Sequence, residues 1–167
     1  MSDFAHIRQN SVLPVIVIVH KIHTKQVVPL SLTEAWGFFS SPKNLKTITP
    51  DHLGFEILEG GDDEMYPGLI IRYKVSPLLG IKLEWVTEIT QVTDERFFID
   101  EQRFGPYAFW HHKHFFSQVE NGTLVEDLVH YKLPFGFLGT IMHALVVRKQ
   151  LKDIFHYREK KLKELFG

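Results

Sequence analysis

The chain has 167 residues, of which 44% are hydrophobic and 13% aromatic, with a formal net charge of −1 and no cysteine. That is enough chain to bury a sizeable core, and the composition excludes a disordered protein. Near-zero charge supplies no field to draw nucleic acid or an anionic membrane, and the lack of thiols excludes disulfides, thiolate-bound zinc and iron–sulfur centres.

Residues 1–11 are polar and read as a flexible lead-in to one domain over 12–167. The apolar run from Val12 to Val19 is too short to span a bilayer. The start, "MSDFAHIRQN", has no basic region, and no small-residue cleavage site follows. The expectation is a soluble, cytoplasmic protein without integral membrane association. β-Branched residues through Val12–Val28 predict a first strand. "SLTEAWGFF" then opens with a capping box, Ser31 and Glu34, and predicts a short helix with Ala35, Phe38 and Phe39 inward. "SSPKNLKTI" repeats the signal, with Ser41 as cap and Pro42 at the first helical position.

Six strand patterns follow, at about 55–59, 68–76, 81–92, 97–104, 108–119 and 123–133. Turn residues separate them: Gly60 to Asp63, Pro77 to Gly80, Thr93-Asp94, Gly105-Pro106 and Asn121-Gly122. Last comes a helix over about 138–166, with Val147, Leu151, Ile154, Phe155, Leu162 and Leu165 at helical spacing. Its other face carries Lys149, Lys152, His156, Lys160 and Lys163, a stripe read as a solvated face. Hairpin-linked strands and a long terminal helix make an α+β pattern: a seven-stranded antiparallel sheet with one face covered by the helix. A sheet curled around a helix leaves space for a ligand.

The stretches "EAWGFFSSPKNLKTITPDHLGFEIL", "FFIDEQRFGPYAFWHHKHFF", "GTLVEDLVHYKLPFGFLG" and "LKDIFHYR" resemble a bacterial branch of the START/Bet v1-like superfamily, often called SRPBCC. The resemblance runs from about residue 20 to the C-terminus and implies the helix-grip fold. The superfamily includes lipid carriers, hormone receptors, polyketide cyclases, quinone-binding proteins and oxygenase catalytic domains. The fold alone selects none of these.

Strand alternation assigns faces. "YAFWHHKHFF", residues 107–116, carries Phe109, His111, Lys113 and Phe115 on one side and Trp110, His112, His114 and Phe116 on the other. A buried lysine is rare, so the Trp110 side is taken as the interior. The same reasoning turns Tyr73, Trp85, Asp100, Gln102, Asp127 and Tyr131 inward. With Trp110, His112 and His114 these form the candidate ligand-binding set. Asp100, Gln102, His112, His114 and Asp127 are polar and need partners.

Four readings compete. His112 and His114 with Asp127 could hold a metal. An Asp–His pair could do acid–base work of a cyclase or dehydratase type. The polar groups could anchor a ligand in an apolar pocket. They could also bond only to one another. We expect no metal and no cofactor, and a hydrophobic or aromatic small molecule as the partner. A two-residue turn at Asn121-Gly122 would set His112 opposite Tyr131 and Phe116 opposite Asp127, with Asp127 diagonal to His114. A three-residue loop Gly105-Pro106-Tyr107 would set Gln102 opposite Trp110 and Asp100 opposite His112.

Overall fold

A computed structural model describes residues 17–62, 64–78 and 81–167. The expected lead-in over 1–11, and residues 12–16 of the expected first strand, lie outside the described residues, as do Asp63 and Leu79-Gly80 of two expected turns. Seven strands form one antiparallel sheet: β1 (His20–Val28), β2 (Glu56–Glu59), β3 (Ile70–Leu78), β4 (Ile81–Thr93), β5 (Phe97–Phe104), β6 (Phe109–Val119) and β7 (Gly122–Lys132). Their spatial order is β1-β7-β6-β5-β4-β3-β2, so the meander from β2 to β7 is closed by β1 returning beside β7. The strand ladder starts at His20, later than the β-branched run suggested; residues 17–19 are described but unpaired.

Helix α1 (Leu32–Phe39) begins where the capping box put it. The Glu34 amide is 3.3 Å from Ser31 Oγ, and the Ser31 amide donates to the Glu34 carboxylate at 2.9 Å. Ala35 is fully buried. The second expected helix is a 3₁₀ segment, Pro42–Lys46, and Ser41 makes no side-chain cap. Backbone bonds over three residues close it instead, Asn44 to Ser41 and Thr47 to Asn44, both 3.0 Å.

The terminal helix starts at Gly136 and has three parts: α2 (Gly136–Met142), a π-helical turn (His143–Val147) and α3 (Arg148–Phe166). One buried cluster joins Val147, Leu151 and Phe155 to Trp85, Trp110, Val129 and Tyr131 of the sheet. A second packs Leu162 against Phe98, Phe116 and Ala35. Helix α3 thus lies along the concave face of the sheet, and its other side carries the expected exposed cations. Lys149 pairs with Asp153 and Lys163 with Glu159 on that side. Leu165, expected inward, is exposed near the C-terminal end of α3.

Two register expectations resolve differently. Asp100 lies opposite His112, as expected, but the β5–β6 ladder stops at Glu101, so Gln102 never pairs with Trp110. At the β6–β7 hairpin the turn is Glu120-Asn121, and Val119 pairs with Gly122. The register is therefore shifted by two residues. Trp110 faces Tyr131, His112 faces Val129, His114 faces Asp127 and Phe116 faces Val125. A shift of two preserves the faces, so every inward assignment on β6 and β7 survives.

Candidate functional site

Between the sheet and α3 lies a cavity of about 190 Å³. An engineered apolar cavity of about 150 Å³ holds benzene, so this one has room for a small ring system or a short chain. Its walls are mostly apolar: Phe39, Leu45 and Ile48 from the α1 region, Phe55, Ile71, Val75, Trp85 and Ile89 from the sheet side, and Leu151, Ile154 and Phe155 from α3. Tyr73 and Thr87, hydrogen-bonded at 3.0 Å, sit among them. Burial pushes the Tyr73 phenol well up, so it stays protonated. Trp85 is 8% exposed, and its indole N–H has no partner among the described residues. A buried donor left alone in a cavity wall is an incentive to bind an acceptor.

One stretch of wall is polar and consists of Asp100, His112, His114 and Arg158. Alternation on β6 puts both imidazoles on the inner face, with ring centroids 3.8 Å apart. His114 Nε2 meets Asp100 Oδ2 at 2.9 Å, and His112 Nδ1 lies 3.4 Å from the same oxygen. On the far side His112 Nε2 bonds Asp127 Oδ1 at 3.0 Å. His114 Nδ1 is 2.8 Å from that oxygen but off the line of a hydrogen bond. Arg158 Nη1 stands 3.6 Å from Asp127 Oδ1, and its guanidinium lies over the Phe155 ring. Phe98 stacks on His114 at 4.0 Å. Each imidazole is thus clamped between two carboxylates and wedged by aromatic rings.

The charges follow from this packing. Burial alone would raise the Asp127 carboxyl, but the two imidazoles and Arg158 outweigh it and hold it well below the usual range. Asp100 is lowered in the same way, burial being overcome by His112, His114 and Arg158. Burial lowers His112, and the neighbouring His114 adds to the effect. His114 is raised, because its two carboxylates prevail over burial. The pair therefore takes one proton more readily than two.

Six of the nine sequence-predicted site residues line the cavity: Tyr73, Trp85, Asp100, Trp110, His112 and His114. Three are elsewhere. Gln102 braces the Gly105-Pro106-Tyr107 loop, its amide donating to the Tyr107 carbonyl at 2.6 Å and accepting from the Tyr107 amide at 3.2 Å. Tyr131 is buried beside the π turn, its hydroxyl 2.8 Å from His143 Nε2. Asp127 stands behind the imidazoles and lines a second hollow between β1 and α3. Sequence reasoning missed Arg158. The signal was present, since Arg158 shares a helical face with Leu151, Phe155 and Leu162. The donor atoms of Asp100, His112 and His114 lie within 4.8 Å of one another, close enough to share a cation. Among the described residues no helix is long and apolar enough to cross a membrane.

No family model matches the chain, and no curated protein matches it. Solved structures do. The protein CV1439 from Chromobacterium violaceum aligns with a TM-score of 0.68 at 14% identity, over 87% of this chain and 96% of its own. The major latex-like protein 151 from Panax ginseng gives 0.65 at 12%, over 89% and 98%. The Bet v 1-like allergen Ara h 8.0201 gives 0.58 at 15%, over 87% and 99%. At such identities the likeness is one of fold: this chain has the helix-grip α+β fold that those structures share.

Proposed function

We propose that the protein binds a small hydrophobic or aromatic molecule bearing an oxygen group, in the cavity between the sheet and α3. A lipid fragment, a polyketide or a quinone-like ring has this chemistry. The observation that carries the reading is an apolar cavity of about 190 Å³ with a single cluster of charged side chains in its wall. Apolar walls supply affinity, and a few convergent polar groups fix orientation. Asp100, His112 and His114 would take the oxygen end, with the Trp85 N–H as a further donor. The helix-grip likeness supports a ligand-binding use in general and says nothing of the ligand. Absent cysteines suit a reducing compartment, and we place the protein in the cytoplasm.

The test is native mass spectrometry of protein purified without detergent, followed by titration with an environment-sensitive naphthalene dye. The expected result is a co-purified mass, or dye binding at one site competed by quinones or fatty acids. A bare mass together with no saturable dye binding would reject the reading.

One feature favours a second reading, an acid–base enzyme of the cyclase or dehydratase type. The two imidazoles have opposed proton affinities and both face the cavity. Paired groups with separated affinities are the usual equipment for moving a proton. Turnover of a co-purified compound by the wild type, but not by His114→Gln, would establish it.

A further inference from the structure

We propose that Asp100, His112 and His114 form a binding site for a divalent first-row transition ion, Zn²⁺ or Fe²⁺, whose open positions face the cavity. The carboxylate differs from the one expected with these histidines, because Asp127 stands on the opposite side of both rings. Ligands held at about 2.0–2.2 Å from one ion stand about 2.8–3.6 Å apart. Asp100 Oδ2 is already 2.9 Å from His114 Nε2 and 3.4 Å from His112 Nδ1. All three residues sit on paired strands, Asp100 directly opposite His112, so the spacing is set by the sheet and not by a loop.

The remaining ring nitrogens point the same way. His112 Nε2 and His114 Nδ1 lie 3.0 and 2.8 Å from Asp127 Oδ1. Ligating histidines commonly turn their second nitrogen to a carboxylate, which fixes the ring and its tautomer. Asp127 is itself faced by Arg158. That leaves the Asp100 charge for the ion.

Proton counting supports the same conclusion. Each ring faces a carboxylate with both nitrogens, but a neutral imidazole carries one N–H. Two neutral rings would press two lone pairs against carboxylate oxygens, and a pair sharing one added proton would still press one. Two imidazolium rings would place two cations 3.8 Å apart in a buried site. An ion on the Asp100 side turns both lone pairs into ligands and leaves the His112 N–H bonded to Asp127, with the His114 N–H 2.8 Å from the same oxygen but off the hydrogen-bond line. Two imidazoles and one carboxylate, with open positions, is a donor set that suits zinc or ferrous iron. The ion would meet the oxygen end of a cavity ligand. That role rests on the binding reading above, whereas the site itself does not.

The test is cobalt binding to untagged, metal-stripped protein, followed by visible absorption and by equilibrium dialysis. One Co²⁺ per chain with d–d bands is expected, displaced by Zn²⁺. His112→Ala and His114→Gln should each lose the bands, with circular dichroism confirming the fold. Asp127→Asn should keep them with affinity weakened by about 10–100-fold. His111→Ala, on the outer face, should bind like the wild type. No bands in the wild type, or bands that survive His112→Ala and His114→Gln or vanish in His111→Ala, would overturn the site. Cobalt binding alongside a failed dye titration would reject the ligand reading alone, and dye binding without cobalt would reject the metal alone.

Discussion

Asp127 Oδ1 is met by His112, His114 and Arg158, and all four groups are close to fully buried. Deleting it leaves the Arg158 guanidinium, 12% exposed, without its paired carboxylate. Breaking a buried pair from one side costs about 3–5 kcal/mol. We expect Asp127→Ala to lower stability by about that much in urea denaturation, and Asp127→Asn, which keeps volume and an acceptor, by less. A loss under about 1 kcal/mol would mean that Arg158 swings out to water. The acid limb follows from the same contacts. Asp127 and Asp100 both have lowered folded-state pKa values. Their stabilisation is complete above the unfolded carboxylate value, about 3.9, and is lost as pH falls through the folded values. Urea midpoints should therefore drop below about pH 4, less steeply in Asp127→Asn; parallel acid limbs for the two proteins would refute the assignment. Much of this was legible from alternation, which reports which way a side chain points. It does not report what reaches it first. Gln102 and Tyr131 point inward, yet both sit at strand ends, where a loop backbone and the π turn claim them. Arg158 was hidden because its neighbours in sequence form an exposed basic stripe.

The β6–β7 turn shows why register is harder to read than strand identity. Asn-Gly favours a hairpin turn with positive φ at both central residues. Here the central residues are Glu120 and Asn121, and positive φ among the described non-glycine residues occurs at Glu95 and Phe135 instead. Gly122 comes one position later, with φ of 134°. A Cβ there would collide with the Val28 carbonyl oxygen at the end of β1. The glycine therefore serves the approach of β1, a long-range contact invisible in the local dipeptide. Gly122→Ala should destabilise by about 1–3 kcal/mol from backbone strain, with more from displacing β1. Asn121→Ala should stay within about 0.5 kcal/mol, because the residue is exposed with negative φ. Chemical denaturation of the two variants separates the turns: a costly Asn121→Ala with a mild Gly122→Ala would restore the two-residue Asn-Gly turn. The capping box at Ser31 was read correctly for the complementary reason, since all of its bonds lie within four residues.

At the scale of the whole molecule, the element order was readable because each strand alternates and each break carries turn residues. The cavity's size was not readable, since it depends on how far α3 stands from the sheet. An empty, dry void of 190 Å³ would cost on the order of 4–5 kcal/mol against a filled core. A ligand that fills it returns part of that. At a hundredfold excess over its dissociation constant, the gain is about 2.7 kcal/mol, or roughly 5–10 °C in melting temperature for a chain of this length. Ile154 of α3 lines the cavity and is only partly buried. Its replacement by phenylalanine adds volume where space exists, with no polar group and little change in helix propensity. We expect Ile154→Phe to melt at or above the wild-type temperature without ligand, and to lose more than half of the dye-induced rise. The discriminating result is the ligand-free melt. A well-packed site answers an added ring with strain of about 1–3 kcal/mol. A fall of several degrees would therefore mean that α3 already closes on the sheet and that the space is not available to a ligand.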